Sequence, residues 1–371
     1  MNKYMERLRI AVDGMGGVNA PLSVVKAIKN ASLKYENVEF LIYGNEEILK
    51  GLFREYNVCE SAYNIIQTNS VILDTDKPTD PLRNKKDSSM RYTIDAVKTH
   101  RADACVSAGN TGALMLTARM ILGSIENVKR PAIAGIIPTL GKKQSQAIFL
   151  DMGANINCDE IALSQFAIMG SCFAKVLLNN ENPTIGILNV GHEESKGREL
   201  EQKTYAILSG INGFIGFVEG HDVIHGKADV VVTDGFSGNI FLKASEGAAK
   251  ACLSQLKSAI SSNIITKLCG LILRPYLHKK LEFLDPRVNN GAMFIGINGI
   301  VVKSHGGSDE IAFENALSVA INLAKNDVNR KIIEEMKKFT EQEENEFSAS
   351  DIFRKIKDTS AKILGIGKKS D

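Results

Sequence analysis

The chain has 371 residues, 44% of them apolar and 24% charged, enough to bury a substantial core in one large domain or two ordinary ones. Its 45 basic and 43 acidic residues leave a net charge of +2, with no tryptophan and no basic stripe interleaved with aromatics, which argues against nucleic acid as a partner. Six cysteines, at 59, 105, 158, 172, 252 and 269, show no paired metal-ligand spacing and read as reduced, mostly core residues of a cytoplasmic protein.

Residues 1–7 include an acid and lack the apolar run and cleavage site of a secretory signal. Strands are predicted at residues 8–12, 38–43, 64–67, 104–107, 132–137, 147–151, 184–189, 214–218, 228–233 and 299–303. Segments of helical spacing separate most of them, the pattern of an α/β protein with Rossmann-like α/β/α layers and a mainly parallel sheet. In such a sheet the strands' carboxyl ends share one edge, so loops distant in sequence are expected to converge there on one ligand.

Four strand-to-helix junctions are rich in small residues. Strand 8–12 leads into Asp13-Gly-Met-Gly-Gly17, with Asn19 read as an N-cap and Pro21 as a first-turn proline. Strand 104–107 leads into Ser107-Ala-Gly-Asn-Thr-Gly112 and the helical pattern 113–122. Strand 228–233 leads into Asp234-Gly-Phe-Ser-Gly-Asn239, and 299–303 into Ser304-His-Gly-Gly-Ser-Asp309 before a helix through 326. Small residues let the backbone approach a ligand, and the free N–H groups of an opening helix favour phosphate or an oxyanion.

Helix 161–178 carries Phe166, Met169, Phe173 and Leu177 on a wide apolar stripe and is expected to be central and buried. Residues 251–290 break the alternation and read as a helical protrusion for dimer packing. Its apolar centre, 264–277, is interrupted by Lys267, Arg274 and Pro275 and falls short of the roughly 20 apolar residues of a membrane span, so none is predicted. Beyond a domain of residues 1–339, a charged linker opens the segment 340–371. In its tail, Ile352, Phe353, Ile356, Ile363 and Leu364 oppose Arg354, Lys355, Lys357 and Lys362, a face suited to protein or an anionic membrane.

Taken singly, the polar residues have plain readings. Asp13, Asp151 and Asp234 each end a strand and suit local turn hydrogen bonds. In Asn189-Val-Gly-His-Glu-Glu-Ser-Lys-Gly197, the pair His192-Glu193 is no zinc-protease motif, because position 196 is Lys. Neither a Gly-x-Ser-x-Gly elbow nor a P-loop is present, and Gly14-x-Gly16 lacks the third glycine of a dinucleotide fingerprint. Beside the glycine loops, Lys196, Lys243, Lys303 and His305 become candidate anion ligands.

Together these motifs strongly resemble the phosphate acyltransferases of bacterial phospholipid synthesis, the PlsX type. The resemblance rests on the four junctions with Ser88-Ser-Met90, Arg130-Pro131, Asp151-Met-Gly-Ala-Asn155, Gln165-Phe-Ala-x-Met-Gly170, Asn189-x-Gly-x-Glu-x-x-Lys-Gly197 and Lys303-Ser-His-Gly306. It implies a homodimeric cytoplasmic α/β enzyme, similar in fold to isocitrate and isopropylmalate dehydrogenases and to phosphotransacetylase. The implied reaction converts acyl-[acyl carrier protein] and inorganic phosphate into acyl phosphate and free carrier protein. Two departures stand in the opening loop, where the family pattern resembles Asp-Ala-Met-Gly-Gly-Asp and this chain has Gly14 and Val18.

Phosphate can itself attack a thioester, so the protein has to hold it, orient it and stabilise the oxyanion. Asn110, Thr111 and Asn239 with neighbouring amides are assigned to phosphate or oxyanion binding, Lys196 to charge neutralisation and His305 to proton transfer. Asp13, Gly16, Gly17, Ser107, Gly109, Gly112, Asp151, Asn155, Asn189, Asp234, Gly235, Lys243, Lys303 and Gly306 complete the expected substrate-binding set, with neither metal nor cofactor. An acyl-cysteine route through Cys105 is the weaker alternative.

Arg83, Lys85, Lys86 and Arg274 are candidates for docking acidic carrier protein, and Lys279 and Lys280 for anionic lipid beside 264–277. Two other readings stay open: a phosphotransacetylase-like enzyme acting on coenzyme A thioesters, and a non-catalytic membrane adaptor. A decarboxylating dehydrogenase would need a metal-binding aspartate cluster and a nicotinamide site that cannot be assembled from these residues.

Overall fold

A computed structural model of the chain describes residues 7–141, 145–281 and 284–342, the side chains of 278 and 279 excepted. The expectations for the first six residues, for the Lys279 side chain and for the tail beyond 342 therefore fall outside what is described.

The first half alternates regularly: β1 (Leu8–Asp13), α1 (Leu22–Lys34), β2 (Val38–Gly44), α2 (Glu46–Glu55), β3 (Tyr63–Gln67), α3 (Asp80–Arg83), α4 (Ser89–Lys98), β4 (Ala104–Ser107) and α5 (Thr111–Leu122). Then follow β5 (Ala132–Pro138), β6 (Gln146–Leu150), α6 (Glu160–Leu177), β7 (Ile185–Leu188), α7 (Glu199–Leu208), β8 (Phe214–Val218), α8 (Gly220–His225) and β9 (Val230–Val232). The long helices α9 (Gly235–Ile260) and α10 (Ile264–Leu281) precede β10 (Ala292–Ile295), β11 (Ile300–Lys303) and α11 (Glu310–Lys325). The helix that enters the protrusion therefore begins at Gly235, inside the glycine junction, with its first turns packed against the sheet. The expected domain boundary after 339 falls within a helical stretch, 328–342, whose Val328, Ile332, Met336 and Phe339 are buried in the core.

The described strands form one 11-stranded sheet in the order β3-β2-β1-β4-β11-β10-β5-β6-β9-β7-β8. Period-2 side-chain alternation fills both faces. Ile10, Val12, Phe40, Ile42, Ala104 and Val106 pack into one cluster with α1, α6 and α11, whereas Ala11, Leu41, Tyr43 and Cys105 pack into another with α4 and α5. Asp159 caps α6 by accepting from Ala162 N at 2.9 Å, and Phe166, Met169 and Phe173 of that helix are fully buried. Removing one such ring costs about 3–5 kcal/mol. α6 is also long and apolar enough to cross a membrane by composition, but 67% of that stretch is buried inside the fold, as in a core helix.

Strand direction changes across the sheet. β2, β1, β4 and β11 are parallel, whereas β10 is antiparallel to both β11 and β5. β5 and β6 pair antiparallel, and β9, β7 and β8 follow β6. The half containing β6 thus points its carboxyl ends opposite to β1, β4 and β11. This corrects the expectation that all the glycine junctions share one edge.

Among the cysteines, the reading as mostly core also needs correction. Cys105 and Cys172 are buried, but Cys59, Cys252 and Cys269 are exposed, and all six described cysteines are unpaired.

Candidate active site

The parallel registers Val12–Val106–Val302 and Ser107–Lys303 bring the ends of β1, β4 and β11 side by side, and their loops are tied together. Asp13 Oδ1 accepts from Gly16 N at 3.1 Å and Met15 N at 3.3 Å, and its Oδ2 accepts from Ser107 Oγ at 2.7 Å. Gly109 N donates to Ser107 Oγ at 3.0 Å, and Val18 N to Gly306 O at 2.9 Å. Gly17, at φ +106°, adopts a backbone state that favours glycine. Burial pushes the Asp13 carboxyl above its usual range, while the bonds from Ser107, Met15 and Gly16 pull it back.

Lys303 is only 8% exposed, and its Nζ donates to Ala108 O at 3.2 Å and, at closer range, to Ser304 O. Burial lowers this amine to about 8, against the pull of the Asp74 and Asp13 carboxylates. His305, in contrast, is exposed, with Nδ1 accepting from Gly307 N at 3.2 Å. Its backbone N donates to Asn290 Oδ1 at 3.0 Å. Asn290 Nδ2 in turn donates to Ser304 Oγ at 2.7 Å and Ala312 O at 2.6 Å, fixing the β11 loop on α11.

At the start of α5, Asn110 Oδ1 accepts from Ala113 N at 3.0 Å while its Nδ2 donates to Asp74 O at 3.1 Å. Its side chain is therefore spent on capping and on tying down the 74 loop. The amides of Thr111 and Gly112 are first-turn donors that have no intrahelical acceptor, and both residues are exposed. Asn19, in contrast, is not a cap. Pro21 occupies that position in α1 without a side-chain cap bond, and Asn19 Nδ2 donates instead to Gly307 O at 3.1 Å and Ser308 O at 3.2 Å.

A second group lies at the carboxyl ends of β6, β7 and β9. Asp151 Oδ1 accepts from Ile133 N, Gly153 N and Ala154 N at 3.0, 3.1 and 2.9 Å, and Oδ2 accepts from Asn155 N and Nδ2 at 2.7 and 2.9 Å. Burial raises this carboxyl, and those donors oppose the rise. A carboxylate so occupied shapes its turn and repels phosphate, which corrects its assignment as an anion ligand. Asp234 caps α9 through Ser237 N at 2.7 Å and pairs with Arg198, itself paired with Glu201. Gly235 N donates to Asn155 O at 2.8 Å, and Asn239 Nδ2 to Met152 O at 3.4 Å, so α9 rests on the 151–155 turn. Asn189 Nδ2 donates to Lys196 O at 3.2 Å; Lys196 and Lys243 are exposed.

The sequence-predicted residues thus form two groups. Asp13, Gly16, Gly17, Ser107, Gly109, Asn110, Thr111, Gly112, Lys303, His305 and Gly306 belong to the first, and Asp151, Asn155, Asn189, Lys196, Asp234, Gly235, Asn239 and Lys243 to the second. Among the described residues no hydrogen bond joins them. The Gly16 and Gly109 amides are consumed within their own loops, which removes them as anion donors. Lys85 is partly buried on Asp76 at 2.5 Å and Val71 O at 2.9 Å, so it is a poor carrier-docking residue. Cys105 lies within β4 facing the core, and burial pushes its thiol well above the usual range, which removes it as a nucleophile. Arg198 and Asn290 were not singled out from the sequence. Their positions beside Gly197 and Gly291, flanking loops already read as functional, are the signals available for them.

A sheet with helices on both faces, closing glycine turns over a buried lysine and an open helix start, defines an anion-handling α/β enzyme. The protein family described as "Fatty acid synthesis protein" matches residues 8–331, and the chain belongs to that family, an acyltransferase family by its curated relatives. It is 44% identical over 341 residues to the phosphate acyltransferase of Ehrlichia ruminantium (strain Gardel), covering 90% of this chain and 99% of that one. The phosphate acyltransferase of Magnetococcus marinus is 42% identical, with 90% and 96% covered. Among solved structures, the chain is similar in fold to a phosphotransacetylase from Streptococcus pyogenes, with TM-score 0.59, 17% identity, and 87% and 95% coverage. The EutD phosphotransacetylase from Staphylococcus aureus gives 0.55, 15%, 86% and 94%.

Proposed function

We propose that the protein transfers an acyl group from acyl carrier protein to inorganic phosphate, supplying acyl phosphate for phosphatidic acid and phospholipid synthesis. The observation that carries this reading is the convergence of the β1, β4 and β11 loops, with the Lys303 ammonium set among carbonyls beneath the open start of α5. Phosphate sits against the Thr111 and Gly112 amides, whose partial positive charge, with Lys303, offsets its negative charge. Its oxygen attacks the thioester carbonyl, the oxyanion forms and collapses, and the C–S bond breaks. The proton lost by phosphate passes to the departing thiolate, and His305 is the exposed group placed to relay it. Lys196 and Asn239, in the second group at the opposing strand ends, are assigned to parts of the substrate remote from that phosphate, Lys196 to an anionic one.

Formation of acyl phosphate, trapped with hydroxylamine, from purified protein, acyl carrier protein thioester and phosphate tests the reading. Undiminished thioester cleavage without phosphate would sink it. The fold likeness to phosphotransacetylases favours coenzyme A thioesters as the second substrate reading, and a higher kcat/KM with acyl-coenzyme A would select it.

The protein works as a homodimer in the cytoplasm and touches the inner membrane face through its helical protrusion. Support comes from α10, where Ile264, Ile265, Leu268, Leu271, Ile272, Leu273 and Tyr276 are exposed, Ile264 by 77%. An apolar face of that size on one hairpin suits burial against a second copy, a lipid surface, or each in turn.

A further inference from the structure

The segment 192–199 is exposed throughout, so apolar burial does not hold it in place. Polar ties do. Glu194 Oε1 accepts from Tyr205 Oη at 2.9 Å, Ser195 O from Gln202 Nε2 at 2.9 Å, and Glu193 O from Lys196 N at 2.9 Å. Gly197, at φ +88°, lets the chain turn beside Asn189. Around these ties, the Lys196 ammonium has no hydrogen-bond or ion-pair partner among the described residues.

The strongest ties stand at the two ends of the loop and reach two different strands. At one end, His192 Nδ1 lies 3.2 Å from Glu219 Oε1 and Nε2 lies 2.5 Å from Asp222 Oδ2, both at the β8–α8 corner. At the other, Arg198 pairs with Glu201 and with Asp234 at the β9–α9 corner. Glu201 and Asp234 are buried, so the half-exposed guanidinium is held from its inner side by two carboxylates fixed in the fold.

We propose that His192 and Arg198 are positioning residues that clamp this loop at both ends and hold Lys196 toward the anionic part of the substrate. The inference rests on the proposed role of Lys196. The two ends differ in chemistry. Arg198 keeps its charge at any working pH. His192 faces Glu219, Asp222, Lys227 and, edge-on at 6.4 Å between ring centres, His221. Lys227 Nζ lies 2.7 Å from the same Nε2 that meets Asp222. With a proton on Nε2 the ring donates to Asp222 and repels the ammonium; without it, Nε2 accepts from Lys227 and repels the carboxylate. Through Nδ1 and Nε2 the ring faces the Glu219 and Asp222 carboxylates together, which ties this end of the loop to the β8–α8 corner.

The test combines amide hydrogen exchange with a double-mutant cycle on the full chain. His192→Ala is expected to speed exchange of the 189–197 amides by about 10-fold or more, leaving the core strands unchanged. It should lower kcat/KM by about 10-fold, and by much less once Lys196→Ala is present. His192→Gln, which keeps one donor, should recover part of the loss. Arg198→Lys, which keeps the charge but loses the fork, should also speed loop exchange. Unchanged exchange in both variants, or losses that simply add to that of Lys196→Ala, would overturn the proposal. A Lys196→Ala enzyme of normal rate would overturn the role of Lys196, while the exchange data would still decide the clamp.

Discussion

Ser107 Oγ donates to Asp13 Oδ2 at 2.7 Å, and that bond joins the loop after β1 to the loop after β4. The same hydroxyl accepts from Gly109 N, so one serine fixes both the neighbouring strand and its own turn. Ser107→Ala leaves a buried carboxylate oxygen and a buried amide short of a partner, a loss of about 1–3 kcal/mol on denaturant unfolding. Asp13→Ala, which frees three donors, is expected to lower kcat/KM about 10-fold or more. Wild-type rates in Asp13→Ala would show that the loop shape does not depend on this carboxylate.

Lys303 gives a pH dependence whose sign is fixed by its burial. Its amine falls from the ordinary 10.5 to about 8, so between those values the unfolded chain holds the extra proton. Stability therefore rises with pH across that window, and the cost of burying the ammonium, on the order of 3 kcal/mol, is felt in full below about 8. Unfolding midpoints of wild type and Lys303→Met should show the slope only in wild type. Turnover should behave oppositely, falling as pH passes above about 8, because the anion is held by the charged form.

Val18 stands where the family pattern has a carboxylate, and its side chain is 73% exposed. The loop uses its backbone, which donates to Gly306 O at 2.9 Å. Val18→Asp should therefore change kcat/KM by only a few-fold, roughly under 1 kcal/mol. A large gain from a nearly inactive parent would show that the carboxylate matters. Position 14 is less forgiving, since a Cβ there would lie 2.9 Å from Ile42 Cγ2 and 3.0 Å from Tyr43 O.

A Cβ on Gly238 would lie 2.0 Å from Asp151 O, a backbone atom that cannot swing aside. Gly238→Ala is expected to lift α9 off the 151–155 turn and to destabilise the fold by about 1–3 kcal/mol. Gly247→Ala, in the same helix with nothing within 4 Å of the new methyl, is the control and should be neutral or slightly stabilising. Thermal unfolding of the two variants separates crowding from helix propensity.

Leu271→Glu with Leu273→Glu should abolish dimerisation in sedimentation, vesicle binding in flotation, or both, since both side chains are exposed on α10. A variant that is still dimeric and still binds anionic vesicles would place both contacts elsewhere.

The alternation of strand and helix, the buried α6 and the glycine turns were legible because each is a local property. β10 was missed: it is four residues long, and its turn into β11, residues 296–299, is a short glycine-bounded hairpin rather than a helical crossover. The spacing from strand 132–137 to strand 147–151 held a comparable hint, since parallel neighbours need a crossover of about a dozen residues or more, usually helical. That short β5–β6 connection reverses the second half of the sheet.

By itself, the sequence determined the alternation of strand and helix, the glycine turns and the buried α6, and its motifs determined the family, because these depend on neighbours a few positions apart. Only the tertiary structure decided which loops meet. Strand direction and register are set by pairings between residues far apart, and those pairings placed Lys303 beside Asp13 and Ser107 while sending Asp151, Lys196 and Asp234 to the opposing strand ends. They also tied the Asn110 amide to the Asp74 carbonyl and gave His192 and Arg198 their distant carboxylates, Asp222 and Asp234, because such partners become neighbours only once the sheet has closed.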